Sequence, residues 1–235
     1  MNSLNILSGG AAQGLVGSLT PAFKTQTGFD IAGEFGAVGA MAGKLRKGAA
    51  ADIVILTAAL LAQLAEEKLV AAASIVDVGL VETALAVRAR DPLVTARDAA
   101  GLRHALLASD AIFVPDTKVS TAGIHVAKVL AQLGIADEVA ARLKIFPNGA
   151  TAMRELAASD ARHPIGCTHS TEIIGTEGVV LSGPLPRGCE LATMYTVGIT
   201  TAAAHVVEAR TLTGLLTGAG PREQRERAGF ISHQP

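Results

Sequence analysis

The sequence predicts an α/β fold, in which buried parallel strands alternate with helices that cover the sheet. One observation is the short apolar run Asp52–Leu56, which has the length and composition of a fully buried strand. A second is the helical spacing of apolar residues such as Leu15, Leu19 and Phe23. A third is the break at Asp91-Pro92, after which a second series of strands and helices begins. Two α/β lobes fit this order better than one wide sheet.

The individual elements follow from the same patterns. Apolar runs predict strands at Leu4–Leu7, Asp30–Phe35, Asp52–Leu56, Val81–Val87, Ala111–Val114, Lys144–Phe146, Ile165–Thr168, Val179–Ser182 and Met194–Thr200. The first helix carries Leu15, Leu19 and Phe23 on one face, and further helices are predicted at Gly39–Lys47, Ala58–Glu67, Arg97–Ala108, Gly123–Leu133, Ala150–Ala158, His205–Leu216 and Pro221–Ala228. Gly134 is expected to end one of these helices as a C-cap, and Pro184 and Pro186 mark a rigid crossing.

The composition excludes several classes of function. The chain has no Trp, and Tyr195 is its only Tyr, which argues against aromatic platforms for sugars or single-stranded nucleic acid. The 20 Lys and Arg residues balance 21 Asp and Glu residues, so the net charge of −1 offers no general attraction for nucleic acid or an anionic membrane. No apolar run of about 18 residues is free of charged or turn residues. We therefore predict no nucleic-acid partner and no membrane span.

Cysteine and histidine spacing predicts no metal site and no cofactor. Cys167 and Cys189 are too few for a disulfide framework, and whether they pair with each other is left open. No two of the 6 His residues have the spacing of a zinc site. The chain also lacks a P-loop, a dinucleotide-binding motif and a nucleophile elbow.

Gly- and Ser-containing turns lead from predicted strands into predicted helices. They are Ser8-Gly9-Gly10-Ala11-Ala12, Phe35-Gly36-Ala37-Val38-Gly39 and Ser120-Thr121-Ala122-Gly123. The first turn of a helix leaves backbone N–H groups unpaired, so it favours an anion. The side chains of Ser8, Ser120 and Thr121 could instead serve only as helix N-caps, which contribute about 1 kcal/mol each. With that alternative open, the sequence predicts a cleft that holds a small anion on helix amino ends.

The chain resembles the solute-binding proteins of bacterial ABC transporters, in the branch that includes the periplasmic molybdate-binding protein and aconitate isomerase. Segments that carry the similarity are Leu4-Asn5-Ile6-Leu7-Ser8, Phe35-Gly36-Ala37-Val38-Gly39, Ala51-Asp52-Ile53-Val54-Ile55 and Gly183-Pro184-Leu185-Pro186. The resemblance implies a type II periplasmic-binding-protein fold with mixed, mostly parallel sheets and a ligand cleft between two lobes that close by hinge motion. It implies lobe one at 1–80 plus 195–235 and lobe two at 84–190, with crossings near 79–83 and 190–195.

The chain departs from the molybdate binders of this family at three positions. Those proteins hold the oxyanion with a Ser hydroxyl on each of the first two turns, where the resemblance places Ala11 and Val38. Neither side chain donates a hydrogen bond, and an unpaired acceptor in a buried anion site costs about 1–3 kcal/mol. The family's ligand-contacting Tyr is replaced by His169. The sequence therefore favours an organic di- or tricarboxylate over molybdate or tungstate.

The candidate ligand-binding residues lie on the turns and at the ends of strands. They are Ser8, Gly9, Gly10, Ala11, Ala37, Val38, Gly39, Thr57, Ser120, Thr121, Gly123, Thr168, His169 and Ser170. Lys118 is a further candidate as the cation for a carboxylate, with a solvated loop lysine as the alternative.

The favoured hypothesis is a transporter-type binding protein whose partners are a small anionic ligand and an ABC permease. The alternative is an isomerase similar to aconitate isomerase, in which His169, or else Glu34, Glu82 or Glu172, would take a proton next to a carboxylate. A ligand-sensing regulatory domain is a third hypothesis. We expect a periplasmic protein if a native signal peptide has been removed, and a cytoplasmic one if Met1 is the native start. Ligand identity and oligomeric state are left open.

Overall fold

A computed structural model of the chain describes residues 2–231. Within that range the chain forms two compact units. The terminal unit takes the chain up to Val81 and again from Thr193 onward, and the inserted unit is Glu82–Ala192. The chain passes from one to the other through β4 (Val76–Arg88) and returns through β9 (Ala192–Ile199).

The terminal unit is built on a sheet with the strand order β2-β1-β3-β9. Its remaining strands are β1 (Ser3–Gly9), β2 (Asp30–Gly36) and β3 (Ile53–Thr57). Strand β1 runs parallel to β2 and β3, whereas β9 is antiparallel to β3. The α-helices of this unit are α1 (Gln13–Thr27), α2 (Val38–Arg46), α3 (Ala58–Glu66), α9 (Val206–Thr217) and α10 (Arg222–Arg227). A 3-10 turn, Gly10–Ala12, joins β1 to α1.

The hydrophobic pattern explains the core of the terminal unit. Every residue of β3 is buried, as expected of a parallel strand covered on both faces. Leu15, Leu19 and Phe23 lie on the buried face of α1, which is the face that their spacing predicts. Tyr195 on β9 is buried in the same core.

The inserted unit has the strand order β8-β4-β7-β5-β6. Its remaining strands are β5 (Ala111–Pro115), β6 (Leu143–Phe146), β7 (Pro164–His169) and β8 (Val179–Pro184). Strand β5 runs parallel to β6 and β7, and β4 is antiparallel to β7 and β8. The α-helices are α4 (Ala99–Ala108), α5 (Thr121–Gln132), α6 (Ala136–Val139), α7 (Gly149–Ala158) and α8 (Ser170–Ile174).

Alternating residues of β4 and β7 divide the core of the inserted unit into two clusters. On one face, Leu85 and Cys167 pack with Val126 of α5. On the other face, Ala84 and Ala86 belong to a cluster with Met153 and other residues of α7. Helices α5 and α7 therefore cover opposite faces of this sheet.

The two units share one strand arrangement. In each, the first parallel strand (β1 or β5) lies between the second and the third, and an antiparallel strand (β9 or β4) borders the third. The second and third strands therefore lie on opposite sides of the first strand, so the direction in which strands are added reverses at that strand. Open α/β sheets bind ligands at such a switch point, beyond the carboxyl ends of the parallel strands.

The α/β class and the predicted order of elements are confirmed, and the differences concern element ends and short helices. Strand β4 begins at Val76 rather than Val81, because Asp77 and Gly79 interrupt the apolar run that a strand prediction relies on. Helices α6 and α8 were not predicted, since a helix of about one turn shows no helical periodicity. Within residues 2–231, no helix has the length and apolar character needed to cross a bilayer.

Candidate functional site

In the terminal unit, the predicted turns lie at one edge of the sheet. Strands β1, β2 and β3 are parallel, so their carboxyl ends at Gly9, Gly36 and Thr57 share that edge. The 3-10 turn before α1, then α2 and α3, each start directly beyond one of these ends. The fold therefore brings together at this edge the candidate residues of the terminal unit, which are Ser8, Gly9, Gly10, Ala11, Ala37, Val38, Gly39 and Thr57.

The helices that start at this edge have no side-chain cap. In the 3-10 turn and in α1, α2 and α3, no backbone N–H donates a hydrogen bond to the side chain of the N-cap residue. In α2 the hydrogen-bond ladder begins with the Met41 N–H, which donates to the Ala37 carbonyl at 3.1 Å. The N–H groups of Val38 and Gly39 therefore precede the ladder. These are the groups that an anion at a helix amino end would engage.

Side chains at this edge supply few donors of their own. The Ser8 hydroxyl is buried and donates to the Gly9 carbonyl at 2.9 Å, so its proton is engaged within the chain. Ala11 and Val38 are buried and apolar. A β-carbon on Gly9 would lie 2.8 Å from Val38 Cγ1 and 2.9 Å from Tyr195 Cε1, so only Gly fits between them. Any donor to a ligand here comes mainly from the backbone.

In the inserted unit, the corresponding edge carries the carboxyl ends of β5, β6 and β7. Helix α5 follows β5, and its N-cap residue Ser120 is buried but makes no side-chain cap. The ladder of α5 begins with the Ile124 N–H, which donates to the Ser120 carbonyl at 2.9 Å. The N–H groups of Thr121 and Gly123 therefore lie ahead of it, in the arrangement seen for α2. The alternative that Ser8, Ser120 and Thr121 serve only as N-caps is not supported, because none of these side chains makes a capping hydrogen bond in the described chain.

Helix α7, which follows β6, differs because the chain itself satisfies its amino end. The Asn148 side chain caps this helix by accepting a hydrogen bond from the Thr151 N–H at 2.8 Å. The carboxylate of Glu172 and the hydroxyl of Thr168 pack directly on the α-carbon of Gly149. A carboxylate in the first turn of a helix is stabilised by the helix dipole.

The end of β7 gathers polar side chains. Thr168, His169 and Ser170 are buried, as is Glu172 on α8. The Thr168 hydroxyl donates to Glu172 Oε2 at 2.6 Å. The same oxygen lies 3.7 Å from His169 Nδ1. Thr168 and His169, two of the candidates from the sequence, thus lie beside a buried carboxylate.

Sequence reasoning did not single out Thr83, the residue of β4 that is paired with His169, and it considered Glu172 only as an alternative base. Thr83 on β4 lies directly opposite His169 on β7, so the two side chains lie on the same face of the sheet. The Thr83 hydroxyl is buried and has no hydrogen-bond partner among the described residues. Only the antiparallel pairing of β4 with β7 brings Thr83 beside His169, and no local sequence pattern predicts that pairing.

Other charged candidates lie outside these clusters. Glu34 pairs with Lys44 at the exposed surface of the terminal unit. Lys118 is exposed, and only its backbone N–H is fixed, by Asp116 Oδ1 at 2.7 Å. In the part of the chain that the structure describes, no group of three or more His, Cys, Asp and Glu side chains could hold a metal ion. Cys167 and Cys189 are both buried free thiols, so they do not pair.

The family profile described as "Bacterial extracellular solute-binding protein" matches residues 4–231 of the chain. No curated protein sequence is significantly similar to it.

Solved structures share the fold over nearly the full length. The periplasmic molybdate-binding protein of Azotobacter vinelandii has a TM-score of 0.82 at 18% identity, covering 98% of this chain and 100% of that chain. The sulfate-binding protein SubI from Mycobacterium tuberculosis H37Rv has a TM-score of 0.77 at 18% identity, covering 100% and 88%. PEB3 bound to L-phospholactate has a TM-score of 0.69 at 14% identity, covering 98% and 100%. At these identities the structures establish the fold alone.

Proposed function

Because this chain belongs to the family of bacterial extracellular solute-binding proteins, we propose that it captures a small anion and delivers it to the permease of an ABC transporter. The observation that carries the proposal is the set of uncapped helix amino ends at the carboxyl edge of each sheet. Several such ends supply N–H donors and positive dipole ends without requiring a basic side chain.

The charge distribution supports neutral donors as the main source of affinity. Among the described residues, Arg88 is the only buried Arg or Lys. Its guanidinium is already engaged by Asp91 Oδ2 at 2.6 Å and by the Ser159 carbonyl at 2.6 Å. A ligand held by backbone N–H groups would therefore keep its charge without forming a salt bridge.

We propose an organic di- or tricarboxylate as the ligand, rather than molybdate. Ala11 and Val38 give no hydroxyl to a tetrahedral oxyanion, and the Ser8 proton is engaged by Gly9. Molybdate, sulfate and L-phospholactate are named for proteins of similar fold. All three are small anions rich in oxygen, and a carboxylate can accept hydrogen bonds from the same kind of backbone N–H donors.

The proposal is tested by calorimetric titration with succinate, malate, citrate, phosphate, sulfate and molybdate. Replacing Thr121 by Pro removes one N–H at the first position of α5, where Pro is tolerated. Ser120 already has the extended backbone that precedes Pro, with φ −95° and ψ 134°. We expect Thr121→Pro to weaken binding about tenfold, and Thr121→Ala to report the hydroxyl alone.

The matched control for this substitution is Ala99→Pro, at the first position of the side-chain-capped helix α4 in the same unit. It should leave binding unchanged. Equal affinities for Thr121→Pro and wild type would exclude the α5 amino end from the site. The absence of any binding across the anion panel would refute the proposed function.

A second candidate is an isomerase of an unsaturated tricarboxylate, with His169 as the base. It is supported by the 3.7 Å distance between Glu172 Oε2 and His169 Nδ1, because a histidine that acts as a general base commonly lies beside a carboxylate. Incubation with cis-aconitate, followed by proton NMR, distinguishes the two functions. Conversion to the trans isomer that is lost in His169→Ala, with binding retained, would support the enzyme, and unchanged cis-aconitate would support the binding protein.

A further inference from the structure

Three buried side chains in the described chain belong to ionisable Asp, Glu or Arg residues, and two of them have a hydrogen-bond partner at every side-chain nitrogen or oxygen. They are Asp52, Arg88 and Glu172. The Asp52 carboxylate accepts hydrogen bonds from the N–H groups of Asn5, Ala204 and His205 at 2.8–2.9 Å. Arg88 is held by Asp91 and the Ser159 carbonyl.

Glu172 is different because one carboxylate oxygen lacks a donor from the protein. Its side chain is 5% exposed. Within residues 2–231 its one hydrogen bond comes from the Thr168 hydroxyl, to Oε2 at 2.6 Å. His169 Nδ1 is 3.7 Å from the same oxygen, which is beyond hydrogen-bond distance. No hydrogen bond joins Oε1 to any described residue. A buried carboxylate with so few donors is costly unless a further donor reaches it.

Glu172 lies at the amino end of a helix, beside a hydroxyl that has no further proton to donate. The carboxylate packs on Gly149 at the amino end of α7, where the helix dipole stabilises a negative charge. Thr168 has given its only proton to Glu172, so its hydroxyl can only accept further hydrogen bonds. The end of β7 therefore presents acceptors and a negative charge beside His169, in a unit whose α5 amino end presents donors.

We propose that Glu172 is a specificity-determining residue that accepts a hydrogen bond from a hydroxyl of the ligand itself. The ligand is then an anion that also carries an O–H group, such as a hydroxycarboxylate or hydrogen phosphate. An otherwise similar anion without that group would face the carboxylate with no donor between them, and like charges would repel. This inference rests on the proposed function.

The test compares ligand pairs that differ in a hydroxyl. Malate is paired with succinate, and phosphate with sulfate, by calorimetry at pH 7.5 on the wild-type protein. The pairs separate a hydroxycarboxylate from a protonated inorganic anion as the source of the O–H group. We expect the hydroxyl-bearing member of at least one pair to bind about tenfold tighter or better, as one hydrogen bond to a charged acceptor allows.

The Glu172→Gln variant attributes the preference to the carboxylate. Gln keeps an oxygen for the Thr168 hydroxyl but removes the charge, so the preference should fall to about threefold or less, chiefly through tighter binding of succinate or sulfate. The matched control is Glu155→Gln, an exposed glutamate on α7, which should keep the wild-type preference.

The outcomes separate this inference from the proposed function. Equal affinities within both pairs, or tighter binding of succinate and sulfate by the wild type, overturn the role of Glu172 while anion binding stands. A preference that survives in Glu172→Gln overturns it as well. If no member of either pair binds, the proposed function fails and the inference fails with it. Equal affinities within both pairs on the wild-type protein overturn the role of Glu172 even if the variant does not fold.

Discussion

The carboxylate of Glu172 lies directly against the α-carbon of Gly149, so that the first residue of α7 has no room for a side chain. A β-carbon on Gly149 would overlap Glu172 Oε2 and Thr168 Oγ1. The close approach joins the amino end of α7 to the polar cluster at the end of β7. The geometry of that cluster therefore depends on a glycine that is distant from it in sequence.

Replacing Gly149 by Ala should destabilise the protein and displace Glu172. We expect a loss of about 1–3 kcal/mol in the free energy of unfolding, typical of overpacking at a buried site. Urea unfolding measures this loss. Gly101→Ala on α4 is the control, because its β-carbon would meet nothing closer than Asp98 Oδ1 at 3.4 Å. Equal stabilities of the two variants would contradict the close packing described here.

Adding hydroxyls on the first two turns should convert the site toward tetrahedral oxyanions. Ala11→Ser and Val38→Ser place a hydroxyl at the positions where the resemblance to molybdate binders implies one. Each new hydrogen bond should tighten molybdate or sulfate binding about tenfold. Titration of the double variant against wild type measures the gain. Ala40→Ser, at an exposed position of α2, should have no effect, and a double variant with unchanged oxyanion affinity would place these turns outside the site.

Asp52 should be the most sensitive charged residue for the stability of the terminal unit. Its carboxylate ties β1 to the segment before α9 through the N–H groups of Asn5, Ala204 and His205. Asp52→Ala leaves these donors unpaired and should cost about 3–5 kcal/mol, as the loss of a buried charged partner does. Asp77→Ala removes an exposed carboxylate of the same unit and should change stability by less than about 0.5 kcal/mol. A small, equal effect of both substitutions would show that the Asp52 hydrogen bonds do not stabilise the fold.

The buried thiol of Cys167 predicts a loss of stability at alkaline pH. Burial raises the pKa of this thiol from 9.0 to about 12. Between those values the unfolded chain has released the proton and the folded chain has kept it, so the unfolded state binds fewer protons and stability falls as pH rises. At pH 10.5 the loss amounts to about 2 kcal/mol, whereas below about pH 8 the thiol is protonated in both states and contributes almost no pH dependence.

Urea unfolding of wild type and Cys167→Ala at pH 8 and pH 10.5 checks this prediction. The variant lacks the thiol, so its stability should fall less between the two pH values. Cys189→Ala is the matched comparison, because the pKa of that thiol is also raised, mainly by burial and to a smaller extent by the charge of Glu190. An identical alkaline decline in wild type and Cys167→Ala would rule out a protonated Cys167 as its cause.

The sequence was sufficient for the features that depend on local pattern. Strand β3 follows from a short continuous apolar run and the apolar face of α1 from a period of 3.6 residues, and both are observed. The turns at Gly9, Val38 and Thr121 could also be located, because each lies where an apolar run gives way to a helical pattern. Their role as ligand contacts stays a prediction.

Features that depend on pairing between distant segments could not be predicted. Thr83 lies beside His169 only because β4 pairs antiparallel with β7 in the register that places the two residues opposite each other. Glu172 reaches Thr168 because the short helix α8 turns the chain back within one turn. Neither the register of two strands nor a five-residue helix has a signature in a single sequence.

The most direct test of anion capture on helix amino ends is a proton–nitrogen NMR titration of the labelled protein. With malate as the ligand, we expect the largest amide shifts in the first turns at Gly10–Ala12, Val38–Gly39 and Thr121–Gly123. The amides of Val206 and Val207, at the start of α9, should move little. A ligand that binds while leaving the amides of those first turns unchanged would contradict anion capture on helix amino ends.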